Sequence, residues 1–388
     1  PGIEYAVATL HQLIMGESGV ARSELVKFIR GKDSYPVLIS QTIPGEDLHT
    51  VLKTNPHLEG LNHKHYSQLF LVALLTNPED DKADNFIVVE TEQGLLIVGI
   101  DKDHAFVEAV VKGLRTKLQV KTILYCLDQM HLPVHPEAIT ELLELNTPLL
   151  LKRWLTQLEK QNQVYQKLFT LEEMNAWLKQ DKKLPVSIPI PIPQGFISTL
   201  YQKLERIKVI LNKNPEITHL SLLTLIEPLL GKYYEEVLNT DQPPAQRFHQ
   251  LTQHEYSVVM ADRYGTLVNS QQLLKSALGK IPKVEDILAK GKYSPGQALG
   301  ELQRVALEAQ TLEQVRTSLL KGEIKPFISL LLDSSREKVI NGIDFETVEP
   351  RMQLLILKAA EGTAFWHLRL KNCTVVTDKI LKPILKKS

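Results

Sequence analysis

The sequence has few cysteines, few aromatic residues, no excess of either charge and no long apolar run. Its two cysteines, Cys126 and Cys373, lie far apart among 388 residues, which excludes a disulfide framework or a cysteine-based zinc site and favours a reducing compartment. Basic and acidic side chains number 45 each, so the net charge gives no reason to expect nucleic-acid binding. Aromatic residues make up only 6% of the chain, which argues against a platform that stacks single-stranded bases. No apolar run reaches the ~18 residues of a membrane span.

The chain is 43% hydrophobic, so it can build a sizeable core, and its length predicts two or three domains. Apolar spacing predicts a helix over residues 3–15 and a strong one over 63–76, which Asn77-Pro78 ends. Short β-branched runs predict two hairpins, one from 24–29 with 36–43 and one from 86–90 with 95–100. From about residue 107 onward helical spacing predominates, including VEAVVKGL and VKTILYCLDQM, and only the proline-rich segment 187–193 reads as an extended loop. These patterns predict an α+β protein that is mostly α.

Acidic residues follow the helix over 63–76 and the second hairpin. Asp80, Asp84 and Asn85 stand just before one predicted strand, and Asp101 comes directly after the next. Mg²⁺ takes oxygen ligands and is often held by one or two protein side chains together with substrate phosphates, and a neighbouring carboxylate can accept a proton from an attacking hydroxyl. Ordinary solvated turns explain the same residue types, so this segment alone leaves both interpretations open.

The order of helices, hairpins and acidic loops resembles the kinase fold. Within it the chain is similar to the phosphatidylinositol 3-/4-kinase branch, and to type II phosphatidylinositol 4-kinases in particular. The resemblance covers roughly residues 1–240, and recognisable sequence motifs match over 36–106. The family's catalytic loop, Asp-x-x-x-Asp-Asn-aromatic, and its metal loop, Ile-Asp-x-x-x-Ala-Phe, are matched here by Asp80, Asp84, Asn85 and Phe86, and by Ile100, Asp101, Ala105 and Phe106.

The resemblance implies a role for each matched acidic or amide residue. Asp80 is the candidate catalytic base, and Asp84 is expected to orient the groups around it. Asn85 and Asp101 are the candidate Mg²⁺ ligands. The implied cofactors are therefore ATP and Mg²⁺.

Two further assignments concern the nucleotide. Gln41, Thr42 and Ile43, at the end of the first hairpin, match the hinge whose backbone holds adenine. Glu4 lies on the helix that in kinases pairs with the phosphate-binding lysine. The alternative for Glu4 is an acidic residue favoured near a helix N-terminus by the helix dipole.

One departure from the family is large. The phosphate-binding lysine and the glycine-rich loop precede this helix in kinases, whereas here the helix begins at about residue 3. Either the strands that carry them are missing from this chain, which we favour, or the protein is a degenerate kinase.

The resemblance over residues 1–240 and the residue patterns beyond it together predict four regions. They are a partial kinase-like N-lobe with its hinge over 1–56, a helical kinase-like C-lobe with the catalytic and metal loops over 57–240, a helical module over 241–365, and a candidate leucine-rich-repeat unit over 366–388. The last rests on the spacing of Leu368, Leu370 and Cys373. Because one repeat cannot bury its own core, this is either a lone strand and helix or the start of an array.

The implied function is phosphotransfer from ATP to an inositol phospholipid or to a host protein, by a bacterial effector that acts in the host cytosol. No nucleic-acid partner and no transmembrane segment are expected, although peripheral membrane contact fits a lipid substrate. Basic residues that would suit an anionic headgroup, or simply form a solvated face, are Lys112, Arg115, Lys117 and Lys121. The alternative function is an inactive kinase-like scaffold that binds a protein partner through its helical and repeat regions.

Overall fold

Helices make up most of the structure and the sheets are small, so the predicted mostly helical α+β class is confirmed. The computed structural model describes residues 2–16, 19–31, 33–111, 117–170, 173, 190, 192–193, 195–253 and 292–320. The candidate repeat unit over 366–388 lies outside these residues.

The described helices and strands follow one another from a short N-terminal helix to a long final one. The helices are α1 Gly2–Met15, α2 Leu48–Thr54, α3 His63–Thr76, α4 Pro136–Glu144, α5 Thr147–Leu168, α6 Phe196–Lys213, α7 His219–Ile226, α8 Pro228–Leu238, α9 Pro244–Gln253 and α10 Pro295–Leu320. The strands are β1 Ser23–Arg30, β2 Asp33–Ser40, β3 Glu46–Asp47, β4 Phe86–Thr91, β5 Gly94–Gly99, β6 Val110–Val111, β7 Lys117–Leu118, β8 Ile192–Pro193 and β9 Lys292–Tyr293.

Both predicted hairpins form. Strands β1 and β2 pair antiparallel around Gly31, whose positive φ of 66° suits the turn. Strands β4 and β5 pair antiparallel with Phe86 opposite Gly99. The two-residue strand β3 adds to the free edge of β4, so the chain that leaves the first hairpin is held against the second.

Helix α3 is the central element, because eleven of its fourteen residues are buried. A helix that is covered on nearly all sides must lie inside the protein. It begins at Asn62, whose side chain accepts a hydrogen bond from the His65 amide at 2.9 Å. It ends, as predicted, at Asn77, which adopts a left-handed conformation (φ 46°). The end of α3 is therefore a fixed point from which the next loop departs.

The core continues from α3 to the surrounding helices. The indole Nε1 of Trp154 on α5 donates to the Ala6 carbonyl of α1 at 2.8 Å, and the two helices pack together. The largest fully buried side chains include Trp154, Tyr66, Tyr125, Tyr165, Tyr234, Phe70 and Phe86. No helix in the described ranges is long and apolar enough to span a membrane.

Two segments predicted as helix fold otherwise. Residues 107–109 are irregular and lead into β6, while 123–126 and 128–131 form two 3-10 turns instead of one α-helix. The second segment is pinned where it starts, because Asp81 and Thr122 form a β-bridge and the Thr122 side chain caps the Leu124 amide. Cys126 in this segment is fully buried.

The chain divides into two compact units, Pro1–Leu299 and Gly300–Ser388. The described part of the second is the portion of α10 from Gly300 to Leu320. The four predicted regions stay predictions.

Candidate functional site

Two acidic loops lie side by side between α3 and the β4–β5 hairpin. We call residues 77–85 the first acidic loop and residues 100–106 the second acidic loop. Two backbone hydrogen bonds join them in antiparallel order, from the Glu79 amide to the His104 carbonyl (2.9 Å) and from the Ile100 amide to the Asn85 carbonyl (2.9 Å). The Phe106 amide, at the end of the second loop, donates to the carbonyl of Thr76, the last residue of α3 (2.5 Å). The structure thus brings together the two motifs that the sequence predicted as catalytic and metal-binding.

The first acidic loop is anchored at its middle and at its end. Asp81 pairs with the chain at Thr122, since its amide donates to Lys121 and its carbonyl accepts from Ile123. Residues 83–85 form a 3-10 turn that leads directly into β4. These contacts fix the backbone on which Asp80, Asp84 and Asn85 stand.

The three predicted residues of this loop differ in exposure. Asn85 is buried, and its side-chain Nδ2 donates to the Asp80 carbonyl at 2.5 Å. This bond orients the amide and leaves its oxygen as the atom able to coordinate a metal. Asp80 and Asp84 are exposed, and the Asp80 carboxylate lies 3.7 Å from the ammonium of Lys82. Asp80 is therefore open to a substrate.

Negative charge concentrates around Asp101. Partial burial and the neighbouring Asp103 carboxylate both raise the pKa of Asp101. Glu4 of α1 is nearly fully buried, and burial raises its pKa, with the charges of Asp101 and Asp103 adding to the rise. The sequence-predicted Glu4 thus faces the second acidic loop. The Asp103 carboxylate therefore disfavours the ionised forms of both Asp101 and Glu4.

A buried ion pair also connects the two loops, and sequence reasoning missed it. Lys102 Nζ lies 2.7 Å from an Asp81 carboxylate oxygen, and each side chain is only 5% exposed. Burial raises the pKa of Asp81 and lowers that of Lys102, and their mutual attraction opposes both shifts. A clue to this pair was its position in the sequence. Asp81 directly follows Asp80, and Lys102 directly follows Asp101.

The predicted hinge connects β2 of the first hairpin to β3. The Gln41 amide donates to the Arg22 carbonyl at 2.7 Å, while Thr42 and Ile43 continue the chain towards β3. Gly45 follows in close contact with β4: a Cβ atom there would lie 2.2 Å from the Val88 carbonyl oxygen. The hinge is thus held beside the β4–β5 hairpin that joins the acidic loops.

The predicted basic residues are only partly described. Lys112 and Arg115 lie outside the described residues, Lys117 lies on β7, and the Lys121 backbone bonds the first acidic loop. No group of three or more histidine, cysteine, aspartate or glutamate side chains in the described ranges could hold a metal ion. A metal bound at the acidic loops would therefore need ligands from a substrate.

No protein-family model matches the chain, and no curated protein matches it. The functional assignment consequently depends on the geometry above.

Proposed function

We propose that this chain is the catalytic region of an ATP- and Mg²⁺-dependent phosphotransferase of the phosphatidylinositol-kinase type. The observation that carries the proposal is the antiparallel pairing of the two acidic loops, which puts Asp80, Asn85 and Asp101 on one rigid frame. In this reading residues 1–56 are a partial N-lobe and residues 57–240 a C-lobe.

The donor set fits Mg²⁺. This ion prefers oxygen ligands and is commonly bound through one or two protein side chains plus phosphate oxygens. Asn85 and Asp101 provide one amide oxygen and one carboxylate, and the nearby Glu4 and Asp103 add negative charge. When bound, Mg²⁺ neutralises charge on the β- and γ-phosphates of ATP.

The remaining residues have distinct tasks in the proposed reaction. Asp80, exposed and adjacent to the amide of Asn85, accepts the proton of the attacking hydroxyl. Asp84 supports the loop. The backbone of Thr42 and Ile43 contacts the adenine, because the Gln41 amide is already bonded to Arg22. Glu4, by the resemblance, has the place of the residue that pairs with the phosphate-binding lysine of kinases.

The proposed acceptor is an inositol phospholipid, with a host protein as the alternative acceptor. Lys117 and Lys121, which both precede the 3-10 turn at 123–126, support an anionic substrate. We place the protein among bacterial effectors that act in the host cytosol at membrane surfaces, with a leucine-rich-repeat region that binds a protein partner.

A thermal-shift experiment on the full-length protein tests nucleotide use. We expect ATP and Mg²⁺ together to raise the melting temperature, because ligands that bind only the folded state stabilise it. ATP with EDTA, and Mg²⁺ alone, serve as controls and should give little shift. No shift with both ligands would contradict the proposal, and a positive result would be followed by transfer of labelled phosphate to a lipid array.

The second candidate function is an inactive kinase-like scaffold that binds a protein partner. The observation that favours it is the exposed apolar face of the β1–β2 hairpin, where Phe28, Tyr35, Val37 and Ile39 all face solvent. The same thermal-shift experiment separates the two, since a scaffold need not respond to Mg²⁺-ATP.

A further inference from the structure

We propose that Asp81 and Lys102 form a positioning pair that sets the spacing between the two acidic loops and thereby the affinity for a divalent cation bound with nucleotide. This inference rests on the proposed function. Neither side chain is assigned contact with the substrate.

The sequence positions of the pair give it direct leverage. Asp81 follows the candidate base Asp80, and Lys102 follows the candidate ligand Asp101. The 2.7 Å contact between the two side chains therefore links the backbones next to both functional residues. A shift of one loop relative to the other would have to lengthen this contact.

Neighbouring residues on two sides restrict the conformation of the Lys102 side chain. Its ammonium lies 3.8 Å from the centroid of the Phe86 ring, within the range of a cation–π interaction. Phe86 itself directly follows Asn85. On the other side, a Cβ atom at Gly99 would come within 2.4 Å of Lys102 Cε. The lysine thus occupies a slot between Phe86 and Gly99 that leads to Asp81.

Stability alone is a weak reason to bury this pair. The cost of removing two charges from water often matches or exceeds their attraction, and well-packed apolar replacements of both partners are frequently neutral or stabilising. Both side chains are 5% exposed, so that cost applies here. A pair that contributes little net stability but joins two functional loops is better explained by positioning.

The test uses the full-length protein and the double variant Asp81→Leu/Lys102→Met. Affinity for Mn²⁺, a spectroscopically visible substitute for Mg²⁺, is measured by electron paramagnetic resonance in the presence of a non-hydrolysable ATP analogue. Urea denaturation is measured on the same samples. We expect the urea midpoint to stay unchanged or rise, and Mn²⁺ affinity to fall roughly 10- to 100-fold, the usual effect of losing a group that orients metal ligands.

A control is the double variant Lys64→Met/Glu137→Leu. It removes a Lys–Glu contact of 2.8 Å between the start of α3 and α4, whereas the acidic loops follow the other end of α3. Its Mn²⁺ affinity should equal that of the wild type. An Asp81→Leu/Lys102→Met protein that is folded and binds Mn²⁺ like the wild type would overturn the positioning role.

A second variant provides a test if the double variant Asp81→Leu/Lys102→Met folds poorly. Gly99→Ala keeps both charges but forces the Lys102 side chain to move, so it should also weaken Mn²⁺ binding, and unchanged binding would count against the pair. Failure of the wild type to bind Mn²⁺ with nucleotide would instead overturn the proposed function itself, and the positioning role with it.

Discussion

Individual residues in the two acidic loops have different surroundings, and these predict different effects of substitution. Asp101 is crowded by other acidic groups, whereas Asp80 is exposed beside a lysine. A residue whose ionised form is disfavoured in the folded state lowers stability at neutral pH. Function and stability should therefore respond in opposite directions at Asp101.

Asp101→Asn should abolish the Mg²⁺-dependent thermal shift with ATP, because it removes the carboxylate ligand. It should also raise the urea midpoint of the unliganded protein, since it relieves repulsion with Asp103 and Glu4. Thermal-shift measurements with Mg²⁺ and ATP, and urea denaturation without ligand, measure the two effects. Glu90→Gln, at an exposed position on β4 of the same hairpin, is the control and should change neither. Retained Mg²⁺-ATP binding in Asp101→Asn would remove Asp101 from the metal site.

Asp80→Asn should keep the nucleotide shift and lose phosphate transfer by roughly 10²- to 10⁴-fold, the usual contribution of a general base. The substitution preserves the backbone carbonyl that accepts from Asn85, so the loop should stay in place. Single-turnover transfer and nucleotide affinity are measured on the same preparation. If nucleotide binding disappears as well, Asp80 has a binding role and not that of a base.

At the scale of elements, the β3–β4 pairing is the contact that holds the hinge against the site. Gly45 allows this approach, because any side chain there would meet the Val88 carbonyl. Gly31, in the turn of the first hairpin, also has positive φ but has open space around its Cβ position. Comparing alanine substitutions at Gly31 and Gly45 therefore separates the cost of backbone strain from the cost of a steric clash.

Gly45→Ala should destabilise the protein more than Gly31→Ala. At Gly31 only the left-handed conformation is penalised, by about 1–2 kcal/mol, whereas at Gly45 the strand must also move away from β4. Urea denaturation of both variants gives the comparison. Equal losses would show that β3 adapts without cost. A raised Michaelis constant for ATP in Gly45→Ala alone would further connect this contact to the hinge.

The sequence predicted the elements that depend on local pattern. Both hairpins, α1 and α3 are where periodicity and turn residues indicated, and the spacing of Asp80, Asn85 and Asp101 indicated two loops that lie side by side in the structure. The 3-10 turns around Cys126 were missed because the apolar spacing over 120–130 indicates a helix without specifying its type. The β-bridge between Thr122 and Asp81 fixes where these turns begin. The Asp81–Lys102 contact depends on long-range packing that no local pattern encodes.

At the scale of the whole molecule, buried neutral histidines make stability depend on pH. His11 on α1, His65 on α3 and His219 on α7 are all at most 5% exposed, and burial lowers the pKa of each. For His219 the value falls to about 3. Its Nδ1 bonds the Leu132 carbonyl and its Nε2 bonds the Ser67 hydroxyl, an arrangement suited to the neutral ring.

Protonation of His219 should therefore contribute to unfolding of the protein by acid. The unfolded histidine binds a proton below about pH 6.5 and the folded one only near its pKa of about 3. Between these values the free energy of unfolding falls as pH falls, by about 1.4 kcal/mol per pH unit for this residue. Urea denaturation across this range should show a shallower pH dependence for His219→Gln than for the wild type. Identical slopes would mean that His219 is already charged in the folded state.

The Cys126 thiol can report how often the segment around it opens to solvent. The thiol is fully buried, and burial raises its pKa, so it resists alkylation both by access and by lack of a thiolate. Its backbone carbonyl is held by Arg247 of α9 at 3.1 Å. In a Cys373→Ser background, the rate at which a thiol reagent labels Cys126 would measure how often the 3-10 segment separates from α9. Comparing this labelling rate with and without nucleotide would show whether nucleotide binding closes the region around the acidic loops.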